Sequence, residues 1–207
     1  MNSQKIPCAT INPDASADSL EAKQPDVDNG TACYSKEGYF TTEYMAREWN
    51  KLWTDTWLIA GVISDIPKVG DYFLFDVGEE SIIVTRTEDG VKAFYNVCSH
   101  RGAKLVWNER GSKKVFVCPF HSWSFHHTGE LRRITDEDTF HPDVVNHRPG
   151  LSPLACEEHA GMVFVHMGDN PPSLLETIGL PEGYLEAYRI DQMKVVRHVR
   201  SEWGANW

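Results

Sequence analysis

The chain has 207 residues, 41% of them hydrophobic and 24% charged, enough apolar content for one sizeable buried core or a core and part of a second. Thirty Asp and Glu against twenty Lys and Arg leave a formal charge of -10, and no Lys/Arg run interrupts that excess. Such a chain is a poor match for nucleic-acid phosphates or an anionic membrane, so neither is expected as a partner.

Residues 1–36 are rich in Asp, Ser, Asn, Ala, Gln and Pro with no sustained apolar period, and read as a flexible polar leader. The opening MNSQKIPCAT lacks the apolar run of a secretory signal, and no stretch approaches the ~20 apolar residues of a membrane span, so a cytoplasmic location is expected. Residues 37–56 read as a short amphipathic helix: Thr41 or Thr42 offers an N-cap, and Met45, Trp49 and Leu52 share one face.

From Trp57 the pattern changes to short β-type runs broken by Gly, Pro and Asp: WLIAGVI, DYFLFDV, SIIVTR, VKAFYN, KKVFVC and GMVFVHM. Close spacing of such runs predicts an antiparallel sandwich or barrel over 57–170. Residues 171–207 read as short helical turns through SLLETIGLPEGYLEAY, then a strand-like MKVVRHVR. The five cysteines, Cys8, Cys33, Cys98, Cys118 and Cys156, are odd in number and irregularly spaced, a poor disulfide framework.

Two short motifs carry chemistry. NVCSHRGA, residues 96–103, is followed seventeen residues after its histidine by CPFHSW, residues 118–123. Cys98 and His100, at i and i+2 in an extended loop, point to the same side, and Cys118 and His121 can converge around a tight turn. Gly102 permits unusual dihedrals and Pro119 fixes φ. Both pairs follow strand-like runs, so each is expected at a hairpin tip. Thiolate and imidazole together suit zinc as well as an iron-sulfur cluster. Spacing separates them: zinc fingers pair two cysteines and then two histidines, whereas here each prong carries one of each.

CxH, seventeen residues that open with RG, and CPxHxW resembles a Rieske 2Fe-2S site, in the version found in the large (α) subunit of ring-hydroxylating oxygenases. The resemblance extends through YNVCSHRGAKL, the GEL after the second prong and the upstream WLIAGVISDIPKVGDY, covering about residues 39–207. It implies a Rieske-type antiparallel β-sandwich with a two-loop cluster-binding subdomain, Cys98 and Cys118 on one iron, and His100 and His121 on the other. Two ferric ions, two sulfides and two thiolates sum to zero, so reduction leaves a single negative charge. Histidine ligation thereby raises the potential into a range of about -150 to +300 mV. Cytochrome bc-type relatives carry an extra cysteine in each loop and a serine two residues past the second histidine. Ala103, Phe120 and Trp123 stand at those positions here, which predicts the low-potential, oxygenase type.

By the same resemblance a reductase or ferredoxin supplies electrons, which pass to a mononuclear Fe(II) that activates O2 to hydroxylate an organic substrate, expected to be aromatic, commonly in a trimer-based assembly. No two-histidine, one-carboxylate set for that second iron is found in the 207 residues. Asn206 and Trp207 resemble the start of the segment that precedes it, so by that resemblance residues 171–207 begin an α+β catalytic domain and the chain reads as the N-terminal part of such a subunit, lacking catalytic residues of its own. A stand-alone Rieske ferredoxin-like carrier and a zinc-binding structural module are the alternatives.

Several residues are expected to be bystanders. Cys156 and His159 form a second CxxH without the proline, and His121 and His126 an HxxxxH whose first member is already committed. His127, His141, His147, His166 and His198 stand alone. Arg101 and Lys104 flank the first loop, either to dock an acidic electron donor or as a solvated rim, and Trp107 and Trp123 are expected to pack and so shield the site.

Overall fold

The structure, a computed structural model, describes residues 36–197, 199 and 201–204. Most of the polar leader, with Cys8 and Cys33, and also His198, Asn206 and Trp207 lie outside the described residues. The expected helical stretch is built from three short pieces: a 3-10 turn Lys36–Tyr39, helix α1 Thr42–Glu48, and a π turn Trp49–Trp53. Thr54 closes the π turn by donating both its N–H and its hydroxyl to the Trp49 carbonyl. The wider turn carries Leu52 off the expected face and leaves it 45% exposed, whereas Met45 and Trp49 stay half-buried. Trp49 lies so close over Gly78 that a Cβ there would meet the indole at 2.4 Å.

Ten strands follow among the described residues. They are β1 Leu58–Val62, β2 Asp71–Val77, β3 Glu80–Thr87, β4 Gly90–Tyr95, β5 Arg110–Ser112, β6 Val115–Val117, β7 Ser124–His126, β8 Leu131–Arg133, β9 Pro153–His159 and β10 Met162–His166. Seven form one antiparallel sheet in the order β1-β10-β9-β4-β3-β2-β5, and β6-β7-β8 form a second, smaller one. The expected antiparallel β architecture is therefore present. Two helical turns, α2 Pro142–Asn146 and α3 Leu174–Ile178, flank the last strand pair. Of the strand-like run from Met193, the described residues 193–197 are irregular.

The central strands are buried on both faces, and this positions the small sheet. Alternate side chains of a strand point to opposite faces. On β3, Ile82 and Val84 enter one core with Phe73, Ala93, Val163 and Val165. Ile83, between them, points to the other face and joins Tyr72 and Phe94 against Leu105, Phe116, Trp123 and Phe125 of the two motif segments. Full burial of an isoleucine is worth about 1.5–3 kcal/mol. The run SIIVTR reads as continuously apolar because it serves two cores.

Candidate metal centre

The two motif loops are built alike. Cys98 donates its N–H to the Ala103 carbonyl at 2.8 Å, and Cys118 donates to the Trp123 carbonyl at 2.8 Å, each five residues on. Each cysteine carbonyl accepts from the residue four further on, Gly102 at 3.0 Å and Ser122 at 2.9 Å. Those closing residues both have positive φ, +75° at Gly102 and +59° at Ser122. Glycine adopts that conformation without steric cost, and a serine does not. The first loop is further closed by a bridge between Val97 and Lys104, and the second joins β6 to β7. The second loop therefore sits at a hairpin tip, as the flanking strand-like runs predict, whereas the first is closed by that single bridge because β4 pairs with β3 and β9 rather than with the returning chain.

Asn96 clamps the first loop at its base. It is 1% exposed, and its Oδ1 accepts from the N–H groups of Leu105 at 3.1 Å and Val106 at 2.9 Å. Its Nδ2 donates to the Val106 carbonyl at 2.7 Å and to Ser81 Oγ at 3.2 Å. The ladder between β4 and the returning chain is thus replaced by one side chain. Sequence reasoning passed over Asn96, since its partners lie nine, ten and fifteen residues away.

The loops sort their four donors by chemistry. Cys98 and Cys118 are buried at 2% and 1% exposure in the same core cluster, where the Cys118 thiol acts on the ionisation of Cys98. Burial pushes the Cys98 thiol up to about 11; the N–H groups of His100 and Arg101 oppose this, and the Cys118 thiol adds to it. His100 and His121 form the second pair, rings edge to face with centroids 4.7 Å apart. Burial, then repulsion from His121, Arg148 and Arg101, lowers the His100 pKa and favours the neutral, ligating form.

Nδ1 of both histidines is buried without a hydrogen-bond partner. A buried polar atom without a partner costs roughly 1–3 kcal/mol, so two on adjoining rings call for an explanation. Among the described residues no three His, Cys, Asp or Glu side chains converge as they would on one ion. Two thiols together and two imidazoles together suit a binuclear centre with two ligands on each metal rather than one tetrahedral zinc.

Residues 56–148 match the family model described as a Rieske [2Fe-2S] domain. The chain therefore contains a Rieske-type domain, and the relatives it resembles are oxygenase components. It is 32% identical over 195 residues to the glycine betaine monooxygenase oxygenase subunit of Chromohalobacter salexigens, covering 94% of this chain and 42% of that protein. It is 35% identical over 147 residues to the large oxygenase component of the naphthalene 1,2-dioxygenase system of Pseudomonas aeruginosa, covering 70% and 33%. The crystal structure of the apo form of a quaternary ammonium Rieske monooxygenase superposes with a TM-score of 0.71 at 27% identity, over 80% of this chain and 49% of that one. The chain thus spans less than half the length of these relatives.

The cofactor of a Rieske domain is a [2Fe-2S] cluster, and the donor set fits it. Aromatic rings surround the imidazole side. Trp123, 1% exposed, stacks on His100 at 4.5 Å and 13°, and Phe140 meets both rings edge-on. Trp123 packs and shields as expected. Trp107 does not: it is 61% exposed, because Val106 turns inward under the Asn96 clamp and the next side chain faces out. Phe120, also exposed, lies against His121 with ring centroids 3.9 Å apart. Arg148, half-buried, sits 5.4 Å from the Trp123 ring centre and donates to the Ser99 carbonyl at 3.2 Å.

The bystanders lie elsewhere. Cys156 and His159 are three apart on β9 and so face opposite sides: Cys156 packs into the core of Ile82 and Val84, away from the motif loops, its thiol pushed up to about 12 by burial, and His159 meets Glu186 at 3.5 Å. His126 is exposed, and His127 pairs with Glu88 at 3.2 Å. His141 Nδ1 caps α2 by accepting from the Asp143 N–H, His147 bonds the Asp143 carbonyl, and buried His166 accepts from the Gly168 N–H. Arg101 is exposed and Lys104 half-buried.

Proposed function

We propose that Cys98 and Cys118 hold one iron of the cluster and His100 and His121 the other, and that this chain relays single electrons from a reductase or ferredoxin toward the oxygen-activating mononuclear iron of an oxygenase. The observation that carries the assignment is the sorting of four donors into a buried thiol pair and an imidazole pair whose Nδ1 atoms lack partners. Bound between the loops, a [2Fe-2S] group supplies a one-electron relay. The protein's own groups do the rest. Burial keeps water from the two cysteines, and the His100 and Arg101 N–H groups aimed at Cys98 stabilise its thiolate. Trp123 and Phe140 fix the plane of His100. Both histidines are half-buried, so the imidazole side is where electrons enter and leave.

For the whole protein the reading is oxidation of an organic substrate by O2. Relatives named for glycine betaine, carnitine and naphthalene all match, so similarity over this domain does not single out an aromatic substrate. The test is ligand by ligand. Cys98→Ala, Cys118→Ala, His100→Ala and His121→Ala each abolish the visible absorption of the reconstituted protein, whereas Cys156→Ala and His126→Ala retain it. Retention by any of the first four, or loss in Cys156→Ala with the fold intact, removes the assignment.

A further inference from the structure

Arg148 lies outside both ligand loops and touches both neighbours that hold His100. Its guanidinium sits over Trp123, which stacks on His100, and its Nη1 donates to the carbonyl of Ser99, the residue before His100. Ser99 in turn donates its hydroxyl to the Pro149 carbonyl at 3.1 Å, so the two segments are tied at two adjacent positions. Arg148 is half-buried, whereas Arg101, the cation next to His100 in sequence, is exposed. A fixed charge withdrawn from solvent is screened less than one on the rim.

We propose that Arg148 is a positioning residue that raises the reduction potential of the metal centre by fixing a positive charge against the Trp123–His100 stack. The inference rests on His100 being a ligand, as proposed above. Reduction brings one electron from the donor and takes the total charge of the cluster and its protein ligands from zero to minus one. No bond forms or breaks, and no proton is taken up. A nearby cation stabilises the added negative charge, and net charge around a cluster is an established lever on its potential. Arginine suits the task, because it is always charged and its planar group can stack and donate at once.

The test is a mediated dithionite titration of the full chain, reconstituted with iron and sulfide and followed by visible absorption and by EPR of the reduced state. Arg148→Gln lowers the midpoint by about tenfold in the reduction equilibrium constant, equivalent to 59 mV for one electron. Arg148→Lys keeps the charge and stays within about threefold of wild type, and Arg101→Gln shifts less, by an amount that vanishes at high salt. A wild-type midpoint in Arg148→Gln with unchanged spectra overturns the inference. So does an equal drop in Arg148→Lys, which makes the effect purely structural, or an equal drop in Arg101→Gln. Should Arg148→Gln fail to take up the cluster, Arg148→Lys alone decides, by keeping or losing the wild-type midpoint. A wild-type chain with no cluster absorption defeats the ligand assignment instead, a distinct result.

Discussion

Replacing Asn96 by alanine should cost more than any substitution on the exposed rim. Four hydrogen bonds go, and the N–H groups of Leu105 and Val106 together with the Val106 carbonyl are left in a site where both residues are 3% exposed. At about 1 kcal/mol net for each bond, and more where a buried group is left without a partner, the loss is about 3–5 kcal/mol. Set against a total stability of roughly 5–15 kcal/mol, that is a large fraction. The clamp closes the loop carrying Cys98 and His100, so the variant should also take up cofactor poorly. Urea unfolding followed by tryptophan fluorescence measures the first effect, and visible absorption after reconstitution the second. A stability change below about 1 kcal/mol with normal loading would refute the view that this side chain, rather than the bridge at Val97 and Lys104, holds the loop.

Ser122 and Glu88 supply two further expectations. With φ at +59°, Ser122 occupies the place Gly102 has in the first loop; Ser122→Gly should be neutral or stabilising, and Ser122→Val destabilising by about 1–2 kcal/mol, in the same urea assay. Glu88 has its pKa lowered, first by its own backbone N–H and then by the His127 ring 3.2 Å away. A depressed carboxyl contributes stability above its unfolded-state pKa and loses it as pH falls through the folded value, so wild type weakens below about pH 4.5. Glu88→Gln should flatten that acid limb; an unchanged slope in thermal melts from pH 6 to 3 would show that the pair does not act.

The candidate ligand motifs were legible because they depend on residue type at short spacing: CxH and CPxH each place one thiol and one imidazole, the proposed ligands, within one turn. What supports the ligands was not. Asn96 and Arg148 look like ordinary polar residues until folding brings Val106 to one and Ser99, forty-nine residues away, to the other. The long strands of the large sheet were readable from their apolar runs, but β5, β7 and β8 are three residues each, too short to display an alternation. Strand β9 was hidden by a proline at its start and by Glu157 and Glu158, the latter paired with Arg86 at 3.2 Å. Amphipathic spacing suggested one continuous helix before β1, and a π turn at Trp49–Trp53 redirected it.

The central claim, two nitrogens on one iron and two sulfurs on the other, is tested most directly by pulsed EPR of the reduced, reconstituted chain together with iron and labile-sulfide analysis. Two irons and two sulfides per chain are expected, as a [2Fe-2S] domain requires, with a reduced signal coupled to two imidazole nitrogens, one lost in His100→Cys and the other in His121→Cys. A colourless protein binding one zinc without labile sulfide, or a cluster whose EPR shows no nitrogen coupling, would contradict it.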